Sequence, residues 1–96
     1  MHSISDLQPY KTEILSITRR HGASNIRVFG SVARGEAQKG SDVDFLVDLE
    51  PERSLMDLAG LLIDLEDLLD CKVQVLTEKG IHWYIKDKIL NQAVNI

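Results

Sequence analysis

The 96-residue chain is 44% hydrophobic and 27% charged, the balance of a soluble globular protein, and its length suits one domain over residues 1–96. Its longest apolar stretch runs only from Leu58 to Ile63, Met1–Asp6 lacks a secretory pattern, and the lone Cys71 has no internal disulfide partner; a cytoplasmic chain with no membrane partner is expected. The formal net charge of −4 is uneven, with −9 over residues 42–70 between segments of +3 and +2, so no direct nucleic-acid binding is expected either.

In chain order, the first predicted element is a helix from Leu7 to His21, in which Ile14, Leu15 and Ile17 supply an apolar stripe and Gly22 a C-terminal stop. Asn25 to Phe29 reads as a short β-rich strand. Gly30 to Ser41, punctuated by three glycines, reads as a loop with one helical turn. Val43 to Asp48 is the second strand, ended by Pro51. Ser54 and Asp57 have capping-box spacing, and Leu55, Leu58, Ala59, Leu62, Leu65 and Leu69 then recur at helical intervals, with Asp57, Asp64 and Asp67 turned to water. Lys72 to Leu76 is a third strand, and Ile81 to Asn91 a last helix. This order predicts an α/β (α+β) fold, a small mixed sheet of three to four strands with helices packed against it.

The chemistry concentrates in Gly30-Ser31-Val32-Ala33-Arg34-Gly35 and Ser41-Asp42-Val43-Asp44. Residues two apart on a strand share a face, so the carboxylates of Asp42 and Asp44 point together and repel unless a cation lies between them. An all-oxygen pair of this kind suits Mg²⁺, which takes one or two protein carboxylates and completes its shell with water and phosphate oxygens. Upstream, Gly30 allows close backbone approach to a ligand, Ser31 adds a hydroxyl, and Arg34 offers a charge-assisted contact to the same phosphates. Each residue also has a plainer reading: turn chemistry for Gly30 and Gly35, a solvated side chain for Arg34, a polar turn-to-strand boundary for the two aspartates. Gly35 to Ser41 has the glycine spacing of a P-loop, but Ser41 occupies the lysine position.

Gly-Ser, ten residues and Asp-x-Asp together resemble the nucleotidyltransferase superfamily that includes DNA polymerase beta and kanamycin nucleotidyltransferase. The nearer likeness is to the minimal nucleotidyltransferases of prokaryotes, carried by Gly-Ser-x-Ala-Arg-Gly, Ser-Asp-x-Asp, Ser-Leu-x-Asp-Leu-x-Gly-Leu and Val-x-Val-Leu-Thr-Glu between Val28 and Gly80. The resemblance implies a polymerase beta-like nucleotidyltransferase core and AMP transfer from ATP with two Mg²⁺ ions. It implies an antitoxin that adenylylates a tyrosine of a cognate HEPN-family ribonuclease toxin. Carried over residue by residue, Gly30 and Ser31 bind the β- and γ-phosphates, Asp42 and Asp44 hold the metals, and Arg34 contacts phosphate.

One position departs from the pattern. Where the family usually has a third carboxylate on the following strand, this chain has Gln74, whose carboxamide carries no charge and cannot act as a base. Glu78 lies beyond that strand. The departure sustains a second reading, an antitoxin that neutralises its toxin by binding alone; a third is a small-molecule nucleotidyltransferase subunit. Elsewhere, His2, His21 and His82 share no metal-ligand spacing and read as isolated surface residues, and Cys71 reads as a small buried hydrophobe. Trp83, Tyr84 and Ile85 are expected to pack the last helix onto the core, with a partner surface as the alternative.

Overall fold

The structure is a computed structural model that describes residues 1–38 and 40–96. A four-stranded mixed sheet in the order β3-β2-β1-β4 carries the architecture. It is built from β1 (Ala23–Phe29), β2 (Val43–Leu49), β3 (Val73–Thr77) and β4 (Val94–Asn95), with helices α1 (Lys11–Arg20), α2 (Gly30–Arg34), α3 (Leu55–Leu69) and α4 (Trp83–Gln92). β1 and β2 are antiparallel, whereas β2 and β3 are parallel because the whole of α3 crosses between them. This is the expected α/β class.

Alternation along the strands divides the sheet into two faces. Val43, Phe45 and Val47 of β2 are fully buried, joined by Ile26, Val28 and Val73, against Ile14 and Ile17 of α1 and Leu61, Leu65 and Leu69 of α3. On the other face Phe29 and Leu46 meet Ile81 and Ile89, and α4 covers only part of that side. Asp44 and Asp48, alternating with the core residues of β2, share this second face with Leu46.

Several boundaries differ from the sequence reading. The first helix starts at Lys11 rather than Leu7, because Gln8–Tyr10 forms a 3₁₀ turn with Pro9 near its start, and proline disfavours the α-helical conformation at the residue before it. Gly22, at φ +75°, ends α1 as expected. β1 begins two residues early, at Ala23, with its register broken between Ser24 and Arg27. The helical turn expected between Gly30 and Ser41 is α2; Lys39, in the same stretch, lies outside the described residues. Ser54 and Asp57 do form a capping box on α3, the Ser54 N–H donating to Asp57 at 2.9 Å and Ser54 Oγ accepting from the Met56 N–H at 3.2 Å.

The last helix starts at Trp83 instead of Ile81, since Glu78–Gly80 is a 3₁₀ turn and His82 Nδ1 caps α4 by accepting from the Tyr84 N–H at 3.1 Å. Trp83, Tyr84 and Ile85 do not pack into the core: they are 78%, 77% and 44% exposed, and Ile89 fills that place further along the helix. Neither is His21 an isolated surface residue. Its Nε2 donates to Asp64 at 2.6 Å across α1 and α3, so Asp64 is not simply solvated. His2 is also engaged, donating from Nδ1 to the Ala37 carbonyl at 2.8 Å. Cys71 is half-buried against the core, as a small hydrophobe would be, and burial pushes its thiol up.

Candidate functional site

The two halves of the sequence motif meet at the start of β2. Across the sheet, Phe29 of β1 is the register partner of Asp44, and Asp44 is in turn the register partner of Gln74 on β3. Phe29, Asp44 and Gln74 therefore form one row on the face that α4 leaves partly open. Gly30 follows Phe29 at the end of that row, at φ +73°, a conformation that favours glycine. A Cβ built on Gly30 would collide with the Asp44 carboxylate. The absence of a side chain at residue 30 is thus what lets the β1–α2 turn lie against the carboxylate, and α2, which starts at Gly30, carries Ser31 and Arg34.

Asp42 is exposed and Asp44 half-buried. Burial raises the Asp44 carboxyl above its ordinary range and the neighbouring Asp42 charge pushes the same way, while Arg34 pulls it down. Two carboxylates held in mutual repulsion, one of them desolvated, favour a cation between them. A divalent ion fits this donor set, in which hard oxygens lie beside a turn with no side chain to block access. Among the described residues no group of three or more His, Cys, Asp or Glu side chains comes together to hold a metal. The third position of the row offers only the neutral carboxamide of Gln74.

Arg34 is already engaged. Its Nε donates to Glu36 at 3.0 Å and its Nη1 to Gln92 of α4 at 3.2 Å. A phosphate contact from Arg34 therefore requires exchange of an exposed ion pair, a change costing at most about 1 kcal/mol. Gln92, which fastens α2 to α4, has no signal in the sequence, because 58 residues separate it from Arg34. Arg27 also went unnoticed there: on the same face of the sheet it donates to Asp48 at 3.1 Å, and it lies 3.8 Å from Glu78. Glu78 thus faces Arg27 at the far ends of β2 and β3, away from the Asp44 row.

No concavity encloses Asp44, although one of about 330 Å³ between α3 and β3 is lined by Gln74. One of about 820 Å³ lies at the C-terminal ends of β2 and β3 between Glu50, Glu78, Lys79 and Lys86. Another of about 490 Å³ adjoins Asp42, lined by Ser41, Lys72 and the N-terminal Met1 and His2. The candidate site rests on the chemistry around Asp44 rather than on cleft size, since a metal–phosphate site needs convergent charge more than an apolar pocket.

A profile of the nucleotidyltransferase domain matches residues 11–96. The chain is 41% identical over 91 residues to a candidate protein adenylyltransferase of Methanocaldococcus jannaschii, covering 95% of this chain and 98% of that one. It is 37% identical over 92 residues to the protein adenylyltransferase MntA of Thermococcus cleftensis, covering 96% and 90% of the two chains. Among solved structures, a candidate minimal nucleotidyltransferase superposes with a TM-score of 0.87 at 40% identity over 98% of this chain and 96% of that one. A toxin–antitoxin crystal structure with AMP-PNP shares the fold, with a TM-score of 0.76 at 20% identity over 88% of this chain and 69% of that one. No helix among the described residues is long and apolar enough to cross a membrane. With its motif assembled at one end of a mixed sheet and the profile spanning nearly its whole length, this chain belongs to the nucleotidyltransferase domain family.

Proposed function

We propose that this chain is a cytoplasmic antitoxin that transfers AMP from ATP to a tyrosine of a cognate HEPN-family ribonuclease toxin. The observation that carries the reading is the approach of Gly30 to Asp44, which joins a side-chain-free turn to a pair of carboxylates. The kinship with protein adenylyltransferases supports the chemistry, and the toxin–antitoxin relative supports the kind of partner.

In this reading the backbone at Gly30 and the Ser31 hydroxyl receive the β- and γ-phosphates, and Arg34 exchanges Glu36 for a phosphate oxygen. Asp42 and Asp44 would hold Mg²⁺, which when bound supplies charge neutralisation for the triphosphate. The tyrosine oxygen forms a bond to the α-phosphorus, the bond to the bridging oxygen breaks, and pyrophosphate departs with the electron pair. Asp44 and Asp42 fix where the triphosphate can lie, and the Gly30 turn orients the leaving pyrophosphate. The phenolic proton leaves to solvent or to a base of the toxin, because Gln74 cannot take it.

Gln74 also favours a second reading, neutralisation by binding alone, since loss of general-base assistance typically costs about 10²–10⁴ in rate. Incubating the chain with its cognate toxin and α-labelled ATP separates the two. Transfer predicts label on a toxin tyrosine, lost in the Asp42→Asn, Asp44→Asn double variant while that variant stays folded. Toxin neutralised without label, and equally well by the double variant, establishes binding alone.

A further inference from the structure

Gln74 has a consequence for how many cations the site holds, and it rests on the nucleotidyltransferase reading above. Mg²⁺ binds about six oxygens at close range and is held strongly only where negative charge accompanies them. Asp44 is the one acid of the row and Asp42 the acid whose charge reaches it, and Gln74, the register partner of Asp44, contributes neutral groups alone; among the described residues no third acid joins them in a metal-holding group. Arg34 adds positive charge felt at Asp44. A cation touching the triphosphate draws on phosphate charge as well as on the two aspartates. A second cation, set towards the incoming hydroxyl, would have to be held largely by the protein, from aspartates already neutralised by the first and from one carboxamide oxygen.

We infer that Gln74 makes this a one-cation site: a single divalent ion is held with the nucleotide, and the second position stays empty for want of a carboxylate at residue 74. Gln74 is exposed at an edge strand, so a substitution there disturbs neither core cluster. The same placement gives a charge introduced at residue 74 direct access to Asp44 along the row.

The test counts cations without relying on turnover. Mn²⁺ replaces Mg²⁺, a non-hydrolysable ATP analogue saturates the protein, and protein-bound Mn²⁺ is counted by electron paramagnetic resonance for wild type, Gln74→Asp and Gln74→Glu. Circular dichroism melting verifies that each variant is folded. One Mn²⁺ per bound nucleotide is expected in wild type, and two in at least one of the acidic variants. Two in wild type would overturn the one-cation inference and leave the nucleotide site standing. One in all three proteins would overturn the role of Gln74. If none of them binds the analogue, the nucleotide reading itself fails, and this inference with it.

Discussion

The two faces of the sheet are made by alternate residues of the same strands and do different work. On one face Val43, Phe45 and Val47 vanish under α1 and α3. On the other, Asp44, Leu46 and Asp48 alternate with them, and only Leu46 is fully buried, by the small cluster that α4 provides. Burying an apolar side chain of this size contributes about 1.5–3 kcal/mol, so the first face supplies most of the stability. The second face keeps the Asp44 carboxylate near water and close enough to Asp42 to feel its charge, an arrangement that opposes folding slightly and suits ligand binding. A period of two thus lets β2 hold its chemistry rigid without exposing its core.

The strongest way to break this division is from the apolar side. Phe45 is fully buried beside Asp44 in sequence but opposite to it in space. Phe45→Ala should cost about 3–5 kcal/mol of stability, a large share of the roughly 5–15 kcal/mol a domain possesses. The molecules that remain folded, measured well below the lowered melting temperature, should still bind nucleotide. Urea unfolding with parallel nucleotide titration checks both; intact stability, or binding lost from fully folded protein, would show that the faces are not separable in this way.

The second prediction attacks the polar side. Gly30→Val places a branched side chain where φ is +73° and where a Cβ alone already meets the Asp44 carboxylate. The strained backbone should cost about 1–3 kcal/mol, less than Phe45→Ala. Nucleotide binding should nevertheless be lost from the folded protein, because the turn can no longer lie against Asp44. Calorimetric titration with ATP and Mg²⁺ measures it, and undiminished affinity would remove Gly30 from the site.

How much of this was legible beforehand differs between the faces. The periodic apolar residues of β2 and α3 state their burial directly, since burial is what the pattern records, and the Ser54–Asp57 cap is local enough to read at three-residue spacing. The Gly-Ser and Asp-x-Asp pairs were visible as motifs, and likeness to a family marked residue 74. Their meeting was not visible, because it depends on β1 and β2 aligning Phe29 with Asp44 and on β3 aligning Gln74 beside it. Arg34–Gln92 and His21–Asp64 were illegible for the same reason: each joins side chains far apart in the chain. β4 escaped notice because two residues, Val94 and Asn95, carry no period. The aromatic pair Trp83–Tyr84 misled, since hydrophobic character alone does not say which side of a helix meets the sheet.

The smallest effect sharpens the comparison by acting on the helix that seals the apolar face. Ser54→Ala removes the oxygen that accepts from the Met56 N–H at the start of α3, at a cost of about 1 kcal/mol. For a domain of this size that lowers the melting temperature by roughly 4–8 °C. Asp57 completes the cap: the Ser54 N–H, first, and then Arg53 hold its carboxyl below the ordinary carboxylate range. A group whose folded value is depressed stabilises the protein at pH above its unfolded value, and that contribution is lost as pH falls through the folded value. The contribution of Asp57 is therefore complete at neutral pH and disappears below about pH 4. Asp57→Asn should lower the melting temperature at pH 7 and make little difference in strong acid, where the wild-type carboxyl is itself protonated. Because α3 covers the face opposite Asp44, nucleotide affinity at pH 7 should be the same for wild type and both cap variants. An affinity that fell in step with melting temperature would mean that loosening the apolar face reaches the carboxylate row, and that the two faces of β2 are coupled.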